Sequence, residues 1–127
     1  MRLCGMANYS AIRLVLVGHP FSPIGMGEHV RCSFRAFQRA GFTVSLHDIY
    51  SSHSHFDPIL AREFGRHLVR RLSPGVNIFH INGDEVEQAL GHIGRNLPSG
   101  AYNIIYPAWE LSTYPREWAN QHDRFDE

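Results

Sequence analysis

The chain reads as an α/β domain: a parallel, Rossmann-like sheet with helices on both faces. Three observations carry this. Short apolar runs rich in β-branched residues alternate with stretches of helical period. The run over residues 12–17 is apolar on both sides apart from Arg13, as a strand covered on both faces must be. Breaks rich in glycine, proline or asparagine punctuate the elements. Right-handed crossovers then order the strands 2-1-3-4, and ligands of such sheets bind at the carboxyl ends of the strands where the order reverses, here between strands 1 and 3.

Taken in order, residues 1–11 show no period and form a lead-in, so the domain proper covers residues 12–127. After the first strand, Val30, Phe34 and Phe37 recur at i, i+4 and i+7 over residues 28–40, and Gly41 stops the helix. Arg31, Arg35 and Arg39 line a second, solvated face, with Arg31 near enough to the preceding glycines to reach a ligand. Residues 42–50 form a second strand. Asp57-Pro58 is an N-cap with proline at N1, and Ile59, Leu60, Phe64, Leu68 and Leu72 extend that helix to Pro74-Gly75. Arg66, Arg70 and Arg71 then fall in its last turns, where the helix dipole favours cations. Residues 76–81 are a third strand, and Asp84 with Glu87 resembles a capping box for a helix over Val86, Leu90 and Ile93. Residues 102–106 are a fourth strand, and a short helix lies within residues 114–122.

Bulk properties narrow the function. At 127 residues the chain is one domain, and its twelve basic and twelve acidic side chains cancel, so no global field recruits nucleic acid or an anionic membrane. Cys4 and Cys32 are too few for a disulfide framework, and the apolar run over residues 14–17 is too short for a signal or membrane-spanning segment. A cytoplasmic location is expected, with peripheral attachment to the inner membrane compatible with it. Of the nine histidines, His53 and His55 make a His-x-His pair that lacks a third ligand, so no metal site is expected.

The informative segment is Gly25-Met26-Gly27-Glu28, read as a turn between the first strand and the first helix. Glycines admit a close approach to backbone N–H groups, and the helix N-terminus adds its dipole, so Gly25, Met26, Gly27, Glu28 and Arg31 are the expected phosphate-binding residues. On this reading Gly27→Val leaves the fold intact and blocks the ligand. A dinucleotide fingerprint fits less well. Its third glycine position holds Val30, and residues 19–24 intervene between strand and first glycine, although Asp48 sits near the position of a ribose-binding acid.

Three motifs in order, Gly25-Met26-Gly27-Glu28-His29-Val30-Arg31, the run from Asn77 through His80, Asn82 and Asp84 to Glu85, and Tyr106-Pro107-Ala108-Trp109-Glu110-Leu111 with Tyr114-Pro115 and Trp118, resemble the N-terminal domain of GT-B glycosyltransferases of the family 4, retaining type. The resemblance spans roughly residues 12–127. It implies an acceptor-side domain that works with a C-terminal domain gripping a nucleotide-sugar, the sugar passing in the cleft to a polysaccharide or lipid-linked glycan without metal or resident cofactor. It places catalytic candidates His80, Asn82 and Asp84 at the tip of the third strand, with Trp109 and Glu110 as acceptor-binding residues. Asn82 can orient a hydroxyl but has no usable proton-transfer pKa. Such enzymes continue past the equivalent of Glu127 into another strand and the donor domain. The chain by itself is therefore expected to be inactive, with the fourth strand an open apolar edge through Ile104, Ile105, Tyr106 and Trp109 that favours self-association. The alternative reading is a non-enzymatic α/β module that binds a phosphorylated ligand or pairs with another chain.

Overall fold

The computed structural model describes residues 9–23, 25–50, 57–72 and 74–127; Cys4 and the His53/His55 pair lie outside the described residues. Four strands, β1 (Arg13–Gly18), β2 (Thr43–Asp48), β3 (Val76–Phe79) and β4 (Tyr102–Ile105), form one sheet in the order β2-β1-β3-β4, every pair parallel. Order and direction agree with the sequence reading. The helices are α1 (Gly25–Arg39), α2 (Pro58–Phe64), α3 (Val86–Ile93) and α4 (Arg116–Ala119).

Strand alternation sorts the core into two layers. Leu14, Leu16, Val44, Leu46 and Ile78 face Val30, Phe34 and Phe64 of α1 and α2. Val15, Val17, Phe79 and Ile105 face Val86, Ala89 and Leu90 of α3 on the other side. β1 is buried on both faces because helices cover it on both, the condition anticipated from its unbroken apolar run.

Four local departures from the sequence reading have identifiable causes. First, Gly25 and Gly27 do not precede α1; they form its first turn. A β-carbon on Gly27 would lie 2.0 Å from Ser22 O and 2.9 Å from His19 O, so its missing side chain lets the 19–22 turn pack on the helix. The expectation that Gly27→Val leaves the fold intact is therefore corrected.

Second, α2 begins as expected, with Asp57 Oδ1 accepting from Ile59 N at 2.8 Å, but ends at Phe64 and gives way to a 3-10 turn, Gly65–His67. Edge strand β2 takes the following residues instead: Leu68 makes a parallel bridge to Leu46, and Val69 N donates to Leu46 O at 2.8 Å. The i, i+4 apolar spacing ran on past the break, and pairing of an open sheet edge overrode it.

Third, the cap of the β3–α3 connection is Asn82 rather than Asp84. Asn82 and Glu85 form a reciprocal capping box around the 3-10 turn Gly83–Glu85, which leads into α3. Fourth, the outer edge of β4 is not open. Residues 125–127 run beside it in the same direction, with Asp126 N donating to Asn103 O at 2.8 Å and Glu127 O accepting from Ile105 N at 2.9 Å. Phe125 seats against Phe79, ring centroids 5.2 Å apart, and Ile105 is buried. The edge expected to drive self-association is thus paired within the chain, and Tyr106 keeps an exposed flank. At the other end, Tyr9–Ala11, expected within the lead-in, form a 3-10 turn that stacks Tyr9 on Phe42 at 4.7 Å.

Candidate functional site

Beyond the carboxyl ends of β1 and β3 lies a cavity of about 780 Å³, at the position anticipated from the strand order. Its walls come from three separate stretches of chain. Gly25, Met26, Glu28, His29 and Cys32 supply the α1 wall, Asn82 the tip of β3, and Ala108 to Leu111 the loop after β4. Six residues assigned to a site from sequence therefore meet here: Gly25, Met26, Glu28, Asn82, Trp109 and Glu110.

The other four assigned residues take different places. Gly27 is buried against the 19–22 turn. Arg31 is only 4% exposed, and its guanidinium is used up: it donates to Pro20 O at 2.9 Å, to Ser22 O at 2.7 Å and to Glu28 Oε2 at 2.9 and 3.1 Å. Arg31 therefore holds the β1–α1 turn on the helix. The arginine row read as one solvated face is split, since Arg35 pairs with Glu63 at 3.1 Å and lies over the Phe64 ring. Asp84 is exposed and lines no part of the cavity. Its charge is felt at Tyr50, whose phenol is pushed up to about 12 by burial and then by Glu85 and Asp84.

His80 is fully buried one layer behind the cavity wall, on the α1 side of the sheet. Its Nδ1 meets His29 Nδ1 at 3.3 Å, Tyr106 closes over both rings, and its Nε2 has no hydrogen-bond partner among the described residues. Burial, then the neighbouring His29, lowers its pKa to about 3, and burial alone lowers that of His29. Both imidazoles are neutral at pH 7. One ring must donate and the other accept across the Nδ1 pair. If His80 donates, its buried orphan is a lone pair rather than an N–H, the less costly of the two. That leaves a protonated Nε2 on His29 as the hydrogen-bond donor available to a ligand. The sequence carries no signal for His29: a lone histidine on an amphipathic helix has no spacing partner, and its role comes from a residue 51 positions away.

Asn82 joins two walls. Its side chain caps the turn that starts α3, and its Oδ1 also accepts from Ala108 N at 3.1 Å, fastening the loop that carries Trp109 and Glu110. That loop is braced by aromatic packing: Trp109 lies 5.1 Å from Trp118 and 5.4 Å from Tyr114, and Trp109 Nε1 donates to Thr113 O. Tyr114 OH accepts from Gly83 N at 2.9 Å, and a β-carbon on Gly83 would meet Trp118 at 2.5 Å, so glycine is needed for α4 to close on the β3 tip. Asn82→Ala is expected to cost about 1–3 kcal/mol, from the lost cap and an unpaired Ala108 N–H. Asn82→Asp keeps both acceptors and should retain most of the stability; equal loss for the two in urea titration would remove the latch role.

Electrostatically the cavity is unlike a phosphate cradle. Glu28 and Glu110 line it, and no arginine or lysine does so among the described residues. The Cys32 thiol and the Arg31 guanidinium hold the Glu28 carboxyl below its usual range, while the bond to Glu28 raises the Cys32 pKa and keeps the thiol protonated. A phosphate here would meet two carboxylates, with only the N-terminal N–H groups of α1 to attract it. Carboxylate acceptors, neutral imidazole and amide donors and an indole face suit a neutral polyhydroxylated ligand. Among the described residues no group of three His, Cys, Asp or Glu could hold a metal ion, and no helix is long and apolar enough to cross a membrane. No protein-family model, curated protein or solved structure matches the chain.

Proposed function

We propose that this domain is the acceptor-side, Rossmann-like half of a GT-B, retaining-type glycosyltransferase, and that the cavity holds the glycan acceptor. The observation that supports this is convergence. The three motifs that resemble the family are scattered along the sequence, yet Glu28 and His29, Asn82, and Trp109 and Glu110 line one cavity. The chemistry of that lining agrees with a neutral sugar. Trp109 offers a face to sugar C–H groups, while Glu28 and Glu110 offer oxygens to hydroxyls, the Asn82 amide nitrogen offers a donor and His29 offers a ring nitrogen. The diphosphate of the nucleotide-sugar would have its cations in the donor domain that the resemblance implies. The catalytic candidates divide accordingly: Asn82 touches the acceptor, His80 orients His29 from behind, and Asp84 has no part.

Trp109 is its own reporter. Titrating the chain with neutral oligosaccharides should give a saturable change in tryptophan fluorescence with at least one of them. Trp109→Ala should weaken that binding by about tenfold or more, followed calorimetrically, because removing a buried aromatic anchor commonly costs about 2 kcal/mol. Binding that survives Trp109→Ala unchanged, or a nucleoside diphosphate competing for the same cavity more tightly than any sugar, would sink this reading.

A further inference from the structure

On the opposite side of the sheet a second cavity, of about 380 Å³, is lined by His47, Arg70, Arg71, His92 and Asn96 over an apolar floor that includes Leu72 and Ile93. Val44 and Leu46 enter the α1 layer, so alternation sends His47 to the α3 layer, away from the first cavity. The dipole of a second helix running to Leu72 would account for Arg70 and Arg71 in its last turns. That helix stops at Phe64 and its 3-10 extension at His67, so the dipole does not account for them. Among the described residues neither arginine has a carboxylate within ion-pair range and no carboxylate lines the cavity. His47 Nδ1 is held by Val69 O at 3.0 Å, which leaves its Nε2 as the free ring nitrogen.

We propose that this cavity is a binding site for a phosphoryl group. Two guanidinium groups can grip such a group bidentately, and the His92 imidazole and the Asn96 amide supply further donors from other directions, while the Nδ1–H of His47 is already given to Val69 O. A terminal phosphoryl, with three oxygens and a double charge, uses that many donors; a carboxylate, with two oxygens and one charge, does not. The chain is electrically balanced as a whole, so the clustering of basic groups without carboxylate partners around one small, open cavity points to a compact anion rather than an extended polyanion. The proposal stands apart from the sugar reading, since the two cavities lie on different layers of the sheet.

The test follows the histidine ring signals by NMR while inorganic phosphate, then pyrophosphate, is added at constant ionic strength and pH. His47 and His92 should shift saturably while His29 and His80 do not, and acetate should produce much smaller shifts. Arg70→Gln/Arg71→Gln, at exposed positions that leave the core intact, should weaken phosphate binding by about tenfold or more, as expected for the loss of charge-assisted hydrogen bonds. Co-sedimentation with phosphatidylcholine vesicles containing phosphatidic acid separates two sources of the group: retention abolished in the double variant identifies a lipid phosphomonoester, and no retention alongside phosphate binding identifies a soluble one. Absence of saturable shifts, or equal affinity in the double variant, overturns the site.

Discussion

Gly27→Ala should destabilise the domain by more than about 3 kcal/mol, whereas Gly25→Ala, two residues earlier in the same helical turn, should cost nothing measurable. The added β-carbon at position 27 would stand 2.0 Å from Ser22 O, 2.9 Å from His19 O and 2.9 Å from the Arg31 guanidinium; at position 25 it meets nothing within 4 Å. Two of the three obstacles at position 27 are backbone, so relief requires moving the 19–22 turn off the helix. That movement breaks the bonds from Arg31 to Pro20 O and Ser22 O and leaves a buried guanidinium short of acceptors, a larger cost than overpacking alone. Thermal unfolding of the two variants decides it. In a domain of this size the loss corresponds to a fall in Tm of roughly 10 °C or more. Equal tolerance of alanine at both positions would show that the turn is not packed as described. A folded Gly27→Ala protein should also lose the shape of the cavity, because the first turn of α1, which carries Gly25, Met26 and Glu28, would no longer be held by the 19–22 turn.

The contrast between these two glycines shows which parts of the molecule were legible in the sequence. Strand order and the position of the first cavity were, because both follow from long-range rules that need only the sequence of elements: two-faced apolar burial for β1, right-handed crossovers, and a crevice where the order reverses. Boundaries were not. Gly25 and Gly27 read as a turn because glycine usually breaks helices, but at a first helical turn Gly27 serves a contact with residues 19–22 that no periodicity reveals. Leu68 carried the spacing of a helix yet pairs with β2, since the demand came from an unsatisfied strand edge elsewhere in the chain. Asp84 with Glu87 has the spacing of a capping box, yet the register two residues earlier, Asn82 with Glu85, is the one formed, and Asn82 there also fastens Ala108. Arg31 shows the same limit from the side of function. Its proximity to the glycines was readable, but its commitment to carbonyl oxygens was not, and that commitment turns a candidate phosphate ligand into a brace for the cavity wall.

Acidification should weaken the fold well before its carboxylates titrate, and His80 is the cause. Its folded-state pKa of about 3 lies below the unfolded value of 6.5, because burial in the α1 layer and then the neighbouring His29 oppose its charge. The unfolded chain therefore binds the extra proton first, so stability rises with pH across the interval. The contribution is fully present above about pH 6.5 and is lost progressively as pH falls toward about 3. At 1.36 kcal/mol per pH unit for one proton, the loss between about pH 6 and pH 4.5 comes to about 2 kcal/mol. His29 and His67, also lowered by burial, act in the same direction. Urea unfolding at these two pH values gives the slope, and His80→Asn, whatever its stability at pH 7, should reduce that slope by the His80 share. An unchanged slope in His80→Asn would mean that His80 takes up its proton in the folded state, and the orphaned Nε2 would then need a partner that opens with pH. The same neutrality bears on the cavity: since His80 stays uncharged down to about pH 3 and His29 is held below its ordinary value, the pair presents a ligand with a hydrogen bond rather than a cation at physiological pH.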